Sequence, residues 1–516
     1  MALQASCLAL AFGSDDERAH HPETLWTAAA SSLHPSRNLV ALALGQKLAI
    51  LAAQDVEVDQ HSTVSISACS IPEQITTLCW LAYASYNAEE EVHLQDVCLL
   101  LGTSLGYLQL HAEDGQLLHR QRLHTTSAQA ISVRVAGMGL KPDDGSEDVS
   151  ITFSDSIVRL SSLSIRSLVR QQLQIRRWDD DSPSSPLSYN IWDLRRAGPR
   201  SAGVCAGLKP HSLYATLTGR DTHQKLLLLT AGRDPALAAY EAEEVLQRGS
   251  LAFVSSLASS VASGVFGVAK AAAWGRQAGF RAGLRNWVAA KVIAEQPGSP
   301  RAAKDDEKLP KGESVTLFRS LKDGPRAVDR LLLAPRGPLA VASDSFGRVL
   351  LIDVISVTVV RIWKSYRDAQ FGWIMCSSSG GATQTQRSST DQPMSHQAHP
   401  GKRRRSDQET QDGGQAPQTT QQQPGILHLV LYAPRRRALE LWQMRSGLRV
   451  ATVQVASACK LLQRSLSFGL KFDCTDSNFG GQIAALAVGQ CLIVDIVSGH
   501  TVDVLSALQF QTTATA

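Results

Sequence analysis

The sequence is poor in the features that announce chemistry. It has nine cysteines in 516 residues, and no two stand at C-x-x-C spacing, which excludes the paired short-range ligands of a structural zinc site. The number is odd. Residues 1–13 also lack the basic start of a secretory leader and run straight into Asp15, Asp16, Glu17 and Arg18. Reduced, mostly buried thiols in a cytoplasmic protein are expected. There is no G-x-x-x-x-G-K-[ST] phosphate loop, no G-x-G-x-x-G between a strand and a helix, no G-x-S-x-G elbow and no H-E-x-x-H. The 14 histidines are dispersed, and the adjacent His20 and His21 would point to opposite sides of a strand. No catalytic residue, no metal ligand and no cofactor is therefore assigned. A net charge of only +4 leaves no basic footprint for nucleic acid. Aromatic residues are only 6%, so the core must be built mainly from Leu, Val, Ala and Ile.

What is present is a globular balance, 44% hydrophobic and 19% charged, and a recurring pattern. An apolar run ends in a turn, a second run alternates, and a third follows another turn. Val97–Leu123 is the clearest case: a strand over Val97–Leu101, a turn at Thr103–Gly106, a strand over Tyr107–His111, the hairpin signal Asp114-Gly115, and a strand over Gln116–Leu123. The pattern returns at Leu339–Trp363 and Leu427–Val455, and in shorter form at Leu39–Leu51, Tyr214–Leu229 and Ile483–Val504. Repeated units of three or four short antiparallel strands predict an all-β fold, a WD-like β-propeller of seven or eight blades. A β-sandwich or two smaller β domains would use similar strands, but six or so units exceed one sandwich.

Two insertions divide the pattern. The propeller is expected over 1–240, 313–375 and 426–510. A helical, partly disordered insertion is expected over 241–312, and a disordered Gln/Ser-rich loop over 376–425, whose composition cannot bury enough surface to offset its ordering entropy. Its Lys402–Arg405 run reads as a solvated charge run rather than a nuclear signal. On a helix, Val254, Leu257, Val261, Val265 and Val268 of the first insertion share one narrow face, with Ser, Gly and Lys270 opposite. Trp274 and then Arg276, Phe280, Arg281, Arg285, Trp287 and Lys291 follow. Two readings stand: a helix packed on protein, and an amphipathic helix making peripheral membrane contact through those valines, Leu257 and Trp274. A spanning helix is disfavoured by the Ser and Gly content.

A cluster leaving a predicted strand, Arg361 to Ile374, carries Trp363, Tyr366, Arg367, Asp368, Gln370 and Trp373. Aromatics with arginine suit a partner interface; they suit equally the plug of a blade-closing loop. Asp344–Val354, Trp363–Gln370 and Gly372–Ile374 closely resemble the N-terminal domain of the regulatory subunit of the Rab-three GTPase-activating protein complex. Leu431–Arg436 with Leu439–Trp442 looks like that family's next motif, which adds Arg435, Arg436 and Trp442 to the partner-binding candidates. Gly102–Gly106, Asp114-Gly115, Pro186–Tyr189 and Trp192 resemble earlier ones, so the similarity runs from Ile75 to Val504.

The resemblance implies a non-catalytic scaffold. It would pair with a catalytic subunit that carries the activating arginine, with a Rab small GTPase as target. It also implies nucleotide exchange on another Rab and a part in vesicle traffic and autophagy, in the cytoplasm and peripherally at the endoplasmic reticulum. Members of that family continue into a long helical region, whereas this chain stops at Ala516, so a short form or fragment is expected. A generic propeller scaffold unrelated to Rab is the alternative, and a propeller hydrolase with converging carboxylates at the channel mouth a third.

Overall fold

The computed structural model describes residues 30–35, 39–52, 66–86, 92–136, 146–178, 186–194, 197–210, 217–218, 224–243, 309–335, 337–376, 426–456, 458–469, 490–495 and 501–506. They form seven sheets, each built on an up-and-down meander laid in chain order; Ser467–Phe468 adds a short parallel strand beside Ile75–Tyr86 of the second sheet, and Glu313–Ser314 one beside Tyr189–Asp193 of the third. Blade 1 is Ala30–Leu33, Leu39–Leu44, Lys47–Ala52 and Ile66–Ser70. Blade 2 is Ile75–Tyr86, Val92–Thr103, Tyr107–His111 and Leu117–Arg122. Blade 3 is Ala128–Arg134, Asp148–Phe153, Ser156–Ser161 and Tyr189–Asp193. Blade 4 is Arg200–Leu208, Lys225–Gly232, Leu237–Glu243 and Thr316–Leu321. Blade 5 is Val328–Leu333, Leu339–Asp344, Val349–Asp353 and Thr358–Trp363. Blade 6 is Gln370–Cys376, Ile426–Ala433, Ala438–Gln443 and Arg449–Gln454. Blade 7 is Cys459–Gln463, Cys491–Asp495 and Thr501–Asp503.

The core confirms the propeller and fixes the number of blades. Buried apolar residues fall into seven clusters, and each joins two neighbouring sheets, blade 7 to blade 1 included. Both faces of an interior strand are therefore covered. In Lys225–Gly232, Leu226 and Leu228 pack towards blade 3 while Leu227 and Leu229 pack towards blade 5. Period-2 geometry with two buried faces gives a continuous apolar run instead of alternation, so Leu and Ala can fill the core with few aromatics.

The ring closes where Leu33 of blade 1 forms a parallel bridge with Arg464 of blade 7. The Ser465 amide donates to the Leu33 carbonyl at 3.2 Å, Arg464 Nη1 donates to the His34 carbonyl at 3.0 Å, and Leu33, Val40 and Leu42 pack on Leu462, Leu492 and Val494. A helix over Ser162–Trp178, unforeseen in the sequence, links the third and fourth strands of blade 3. Its Ile165, Leu168 and Val169 are buried against blades 2 and 3, and its Arg166 and Arg170 both reach Asp96, at 3.0 and 2.7 Å. Among the described residues no helix is long and apolar enough to cross a membrane.

Topology makes the two faces of the ring unequal. Inner strands run side by side in one direction, so every second-to-third connection and every link to the next blade reaches one face. On that face no connection exceeds six residues, 194–199, 322–327 and 364–369 being the longest. The strand ends that flank the helix and residues 53–65, 137–145, 211–223, 244–308, 377–425 and 470–489 are at the opposite face. The valine-faced segment and Trp274 lie within 244–308, outside the described residues, as do residues 377–425.

Candidate functional site

The motif-rich residues gather on the short-turn face of blades 5 and 6, where four turns meet: 322–327, 344–348, 364–369 and 434–437. The hairpin of blade 5 is shaped by Asp344, whose Oδ1 accepts the Phe346 and Arg348 amides at 3.1 and 2.7 Å. Asp344 Oδ2 and Asp323 both accept hydrogen bonds from the Arg348 guanidinium. That bond to Arg348 holds the Asp323 carboxyl below its ordinary pKa. Gly347, at φ +82°, brings its backbone so close to the next turn that a Cβ there would lie 2.5 Å from Arg367 Cγ; the Gly347 carbonyl accepts the Tyr366 amide at 2.8 Å. Only glycine meets both demands. Ser365, Asp368 and Arg437, at φ +69°, +61° and +52°, are three of the five non-glycine residues with positive φ among those described. Such conformations cost about 1–3 kcal/mol each and gather where the shape of a turn is imposed from outside it.

Beneath these turns lies a brace. Trp363, Tyr366 and Trp373 are buried between blades 5 and 6. Trp363 meets half-buried Trp442 edge to face at 5.5 Å, with the Arg361 guanidinium over both rings at 5.0 and 4.4 Å. Buried Glu440 collects three donors: Tyr366 Oη at 2.7 Å, Trp442 Nε1 at 2.9 Å and Arg449 Nη1 at 3.4 Å. Burial, with the Glu440 carboxylate beside it, pushes the Tyr366 hydroxyl up to about 12. Gln370 ties blade 6 to blade 7, its Oε1 accepting the Leu461 amide at 2.7 Å. Above the brace Arg367, Asp368, Arg435 and Arg436 are exposed. Arg435 Nε meets Asp368 Oδ2 at 3.0 Å, and the Arg436 guanidinium lies 4.4 Å over the Tyr366 ring.

The nine candidates of this region are thus brought together, in two layers: three buried side chains, half-buried Gln370 and Trp442, and four exposed charged ones. Sequence reasoning missed Lys322, Arg326, Arg348, Lys364 and Arg437. The four turns together hold eight basic side chains against the three carboxylates of Asp323, Asp344 and Asp368. That surplus of five exceeds the +4 of the whole chain, a local field of the kind that steers a charged partner.

The inner strands of all seven blades line an axial channel of about 680 Å³. At its mouth Lys460 is held down to about 8 by burial, with Arg330 adding repulsion. Unfolding returns the amine to its ordinary value of 10.5, so between these values the unfolded chain binds the extra proton and stability rises with pH. Urea melts of wild type and Lys460→Met should show that rise between pH 8 and 10 only in the wild type. Equal slopes would place the amine in water.

Among the described residues no group of three or more His, Cys, Asp or Glu side chains could hold a metal ion. Burial pushes the Cys79 and Cys205 thiols up to about 11 and raises Cys98 and Cys491 further, which leaves them unreactive near neutral pH.

Among solved structures the chain is similar to Chaetomium thermophilum Sqt1 bound to the N-terminus of the ribosomal protein L10. The identity is 12%, over 84% of this chain and 75% of that one, with a TM-score of 0.34. It is similar also to BBS1N in complex with ARL6DN, at 8% identity over 92% and 90% of the two chains, TM-score 0.40. At these scores the likeness adds nothing to what the seven sheets show. A family model is decisive: that of the Rab3 GTPase-activating protein regulatory subunit N-terminus matches residues 26–462, from just before blade 1 into the first strand of blade 7. The chain belongs to the family of Rab3 GTPase-activating protein regulatory subunits, and its propeller is that family's N-terminal domain.

Proposed function

We propose that this propeller is a non-catalytic scaffold that docks the catalytic subunit of a Rab GTPase-activating complex and thereby regulates Rab activity in membrane traffic. The family is that of a regulatory subunit. The observation that carries the docking role is the short-turn face of blades 5 and 6, where Arg367, Asp368, Arg435 and Arg436 stand exposed on a buried aromatic brace. A rigid floor under a charged rim is the arrangement that binds protein with little ordering cost. The charge on the transferring phosphoryl group would be stabilised by the partner, not by this chain. Peripheral membrane contact through Val254, Leu257, Val261, Val265, Val268 and Trp274 is part of the same proposal; Glu243, the described strand end before that segment, lies on the face opposite the short turns.

Co-expression of this chain with the catalytic subunit of the same organism, followed by Rab GTP-hydrolysis and nucleotide-exchange assays, tests the reading. A stable complex with altered Rab activity is expected, as is its flotation with small anionic vesicles. A well-folded chain that leaves the catalytic subunit unbound and its activity unchanged would make this a propeller scaffold with other clients.

A further inference from the structure

One cavity on the docking face has a composition of its own. About 670 Å³ in volume, it is lined by the basic side chains of Arg326, Arg348, Lys364, Arg367 and Arg435, and no carboxylate lines it. Its apolar surface comes from Phe346 and Ile362, which are 49% and 44% exposed. Phe346 sits at the tip of a hairpin, where a turn requires no aromatic ring. Arg348 and Arg326 are bound to Asp323, and Arg435 to Asp368. Lys364 and Arg367 pair with no carboxylate among the described residues. An apolar floor beside unmatched positive charge is a recognition surface.

We propose that this pocket seats an acidic linear segment of protein, with an apolar side chain on Phe346 and Ile362 and carboxylates paired to Lys364 and Arg367. A short peptide suits the site better than a nucleic acid or an anionic bilayer. The basic side chains surround one small cavity with an apolar floor, which matches a short segment that carries both carboxylates and an apolar side chain. The identification of the segment as part of the catalytic subunit rests on the docking reading above; the chemistry of the pocket does not.

The test uses the full chain and a labelled synthetic peptide of alternating Glu and Ser with one central Phe. Binding is expected, and about tenfold weaker binding for the double variant Lys364→Glu, Arg367→Glu, for Phe346→Ser, and for the peptide with Gln in place of Glu. All three substituted side chains are exposed, so melting temperature should not move. Equal binding by wild type and double variant overturns the proposal, as does binding of phosphatidylserine vesicles, lost in the double variant, with none of the peptide. The same variants against the catalytic subunit separate the two readings. A subunit held equally by wild type and double variant overturns the pocket as its seat and leaves docking intact. Peptide binding that needs Lys364 and Arg367, with no binding of the subunit, supports the pocket and overturns the docking reading.

Discussion

Replacing Trp373 with alanine is expected to cost about 3–5 kcal/mol, enough to unfold most of the chain or abolish its soluble expression. The indole is fully buried and faces the cluster that joins blades 5 and 6. Its ring nitrogen has no hydrogen-bond partner among the described residues, so the whole penalty is lost packing and the cavity left behind. The site cannot collapse to fill that cavity. Gly372, its neighbour, already lies so near blade 7 that a Cβ there would stand 2.7 Å from Cys491 Sγ, and Gln370 pins the start of the strand to Leu461. Thermal unfolding followed by circular dichroism should show a fall of many degrees for Trp373→Ala and almost none for Arg367→Ala. A small shift at Trp373 would mean that the blades can slide together, and that the brace under the short-turn face is not rigid.

The second large effect is expected at Glu440. Removing its carboxylate by Glu440→Ala strands the Tyr366 hydroxyl and the Trp442 indole N–H, each at a cost of about 1–3 kcal/mol, so a total of roughly 2–6 kcal/mol is expected. Tyr366→Phe alone removes a donor together with its need and should cost only about 1 kcal/mol. The loss should be less than additive in the double variant, since phenylalanine in place of Tyr366 leaves no hydroxyl to be stranded. The exposed Arg449, at 3.4 Å, adds little to this account. Chemical denaturation of the two single variants and the double gives the coupling directly. Strict additivity would show that Tyr366 and Glu440 act independently, and the brace would then rest on packing alone.

The hairpins were legible because their signals are local. Asp114-Gly115 ends one strand and starts another in the structure as in the sequence, with Tyr107–His111 returning as Leu117–Arg122. The Leu339–Trp363 and Leu427–Val455 repeats became three strands each for the same reason. Blade number was not legible to better than seven or eight, because closure depends on Leu33 meeting Arg464, contacts separated by nearly the whole chain. The helix at Ser162–Trp178 did carry its signal, with Ile165, Leu168, Val169 and Leu173 on one side, but it interrupts a blade between two of its strands, and a pattern of strands and turns does not announce it. For the candidate site, sequence placed nine side chains in one region without separating floor from rim. Trp373 sits in a strand covered on both faces, where the alternation from which burial is read is lost, whereas Trp363 and Tyr366 stand among exposed neighbours and are buried only by their contacts with blade 6. The basic surplus was invisible for another reason: its turns are spread from Lys322 to Arg437 and meet only when blades 5 and 6 stand side by side.

The unequal faces have a consequence for how such a chain can change over time. Residues 377–425 leave from Cys376 and return at Ile426, two residues that are cross-strand partners. The loop thus begins and ends at one spot on the ring, and doubling its length would cost only about 0.6 kcal/mol in closure entropy. Insertions and losses there are close to neutral, as they are for 244–308 between the strands ending at Glu243 and beginning at Thr316. A single residue added to 344–348 or 364–369 would instead break the stitch between Gly347 and Tyr366 and reshape the charged rim. One side of this molecule is free to drift in length and composition while the other is held to the residue.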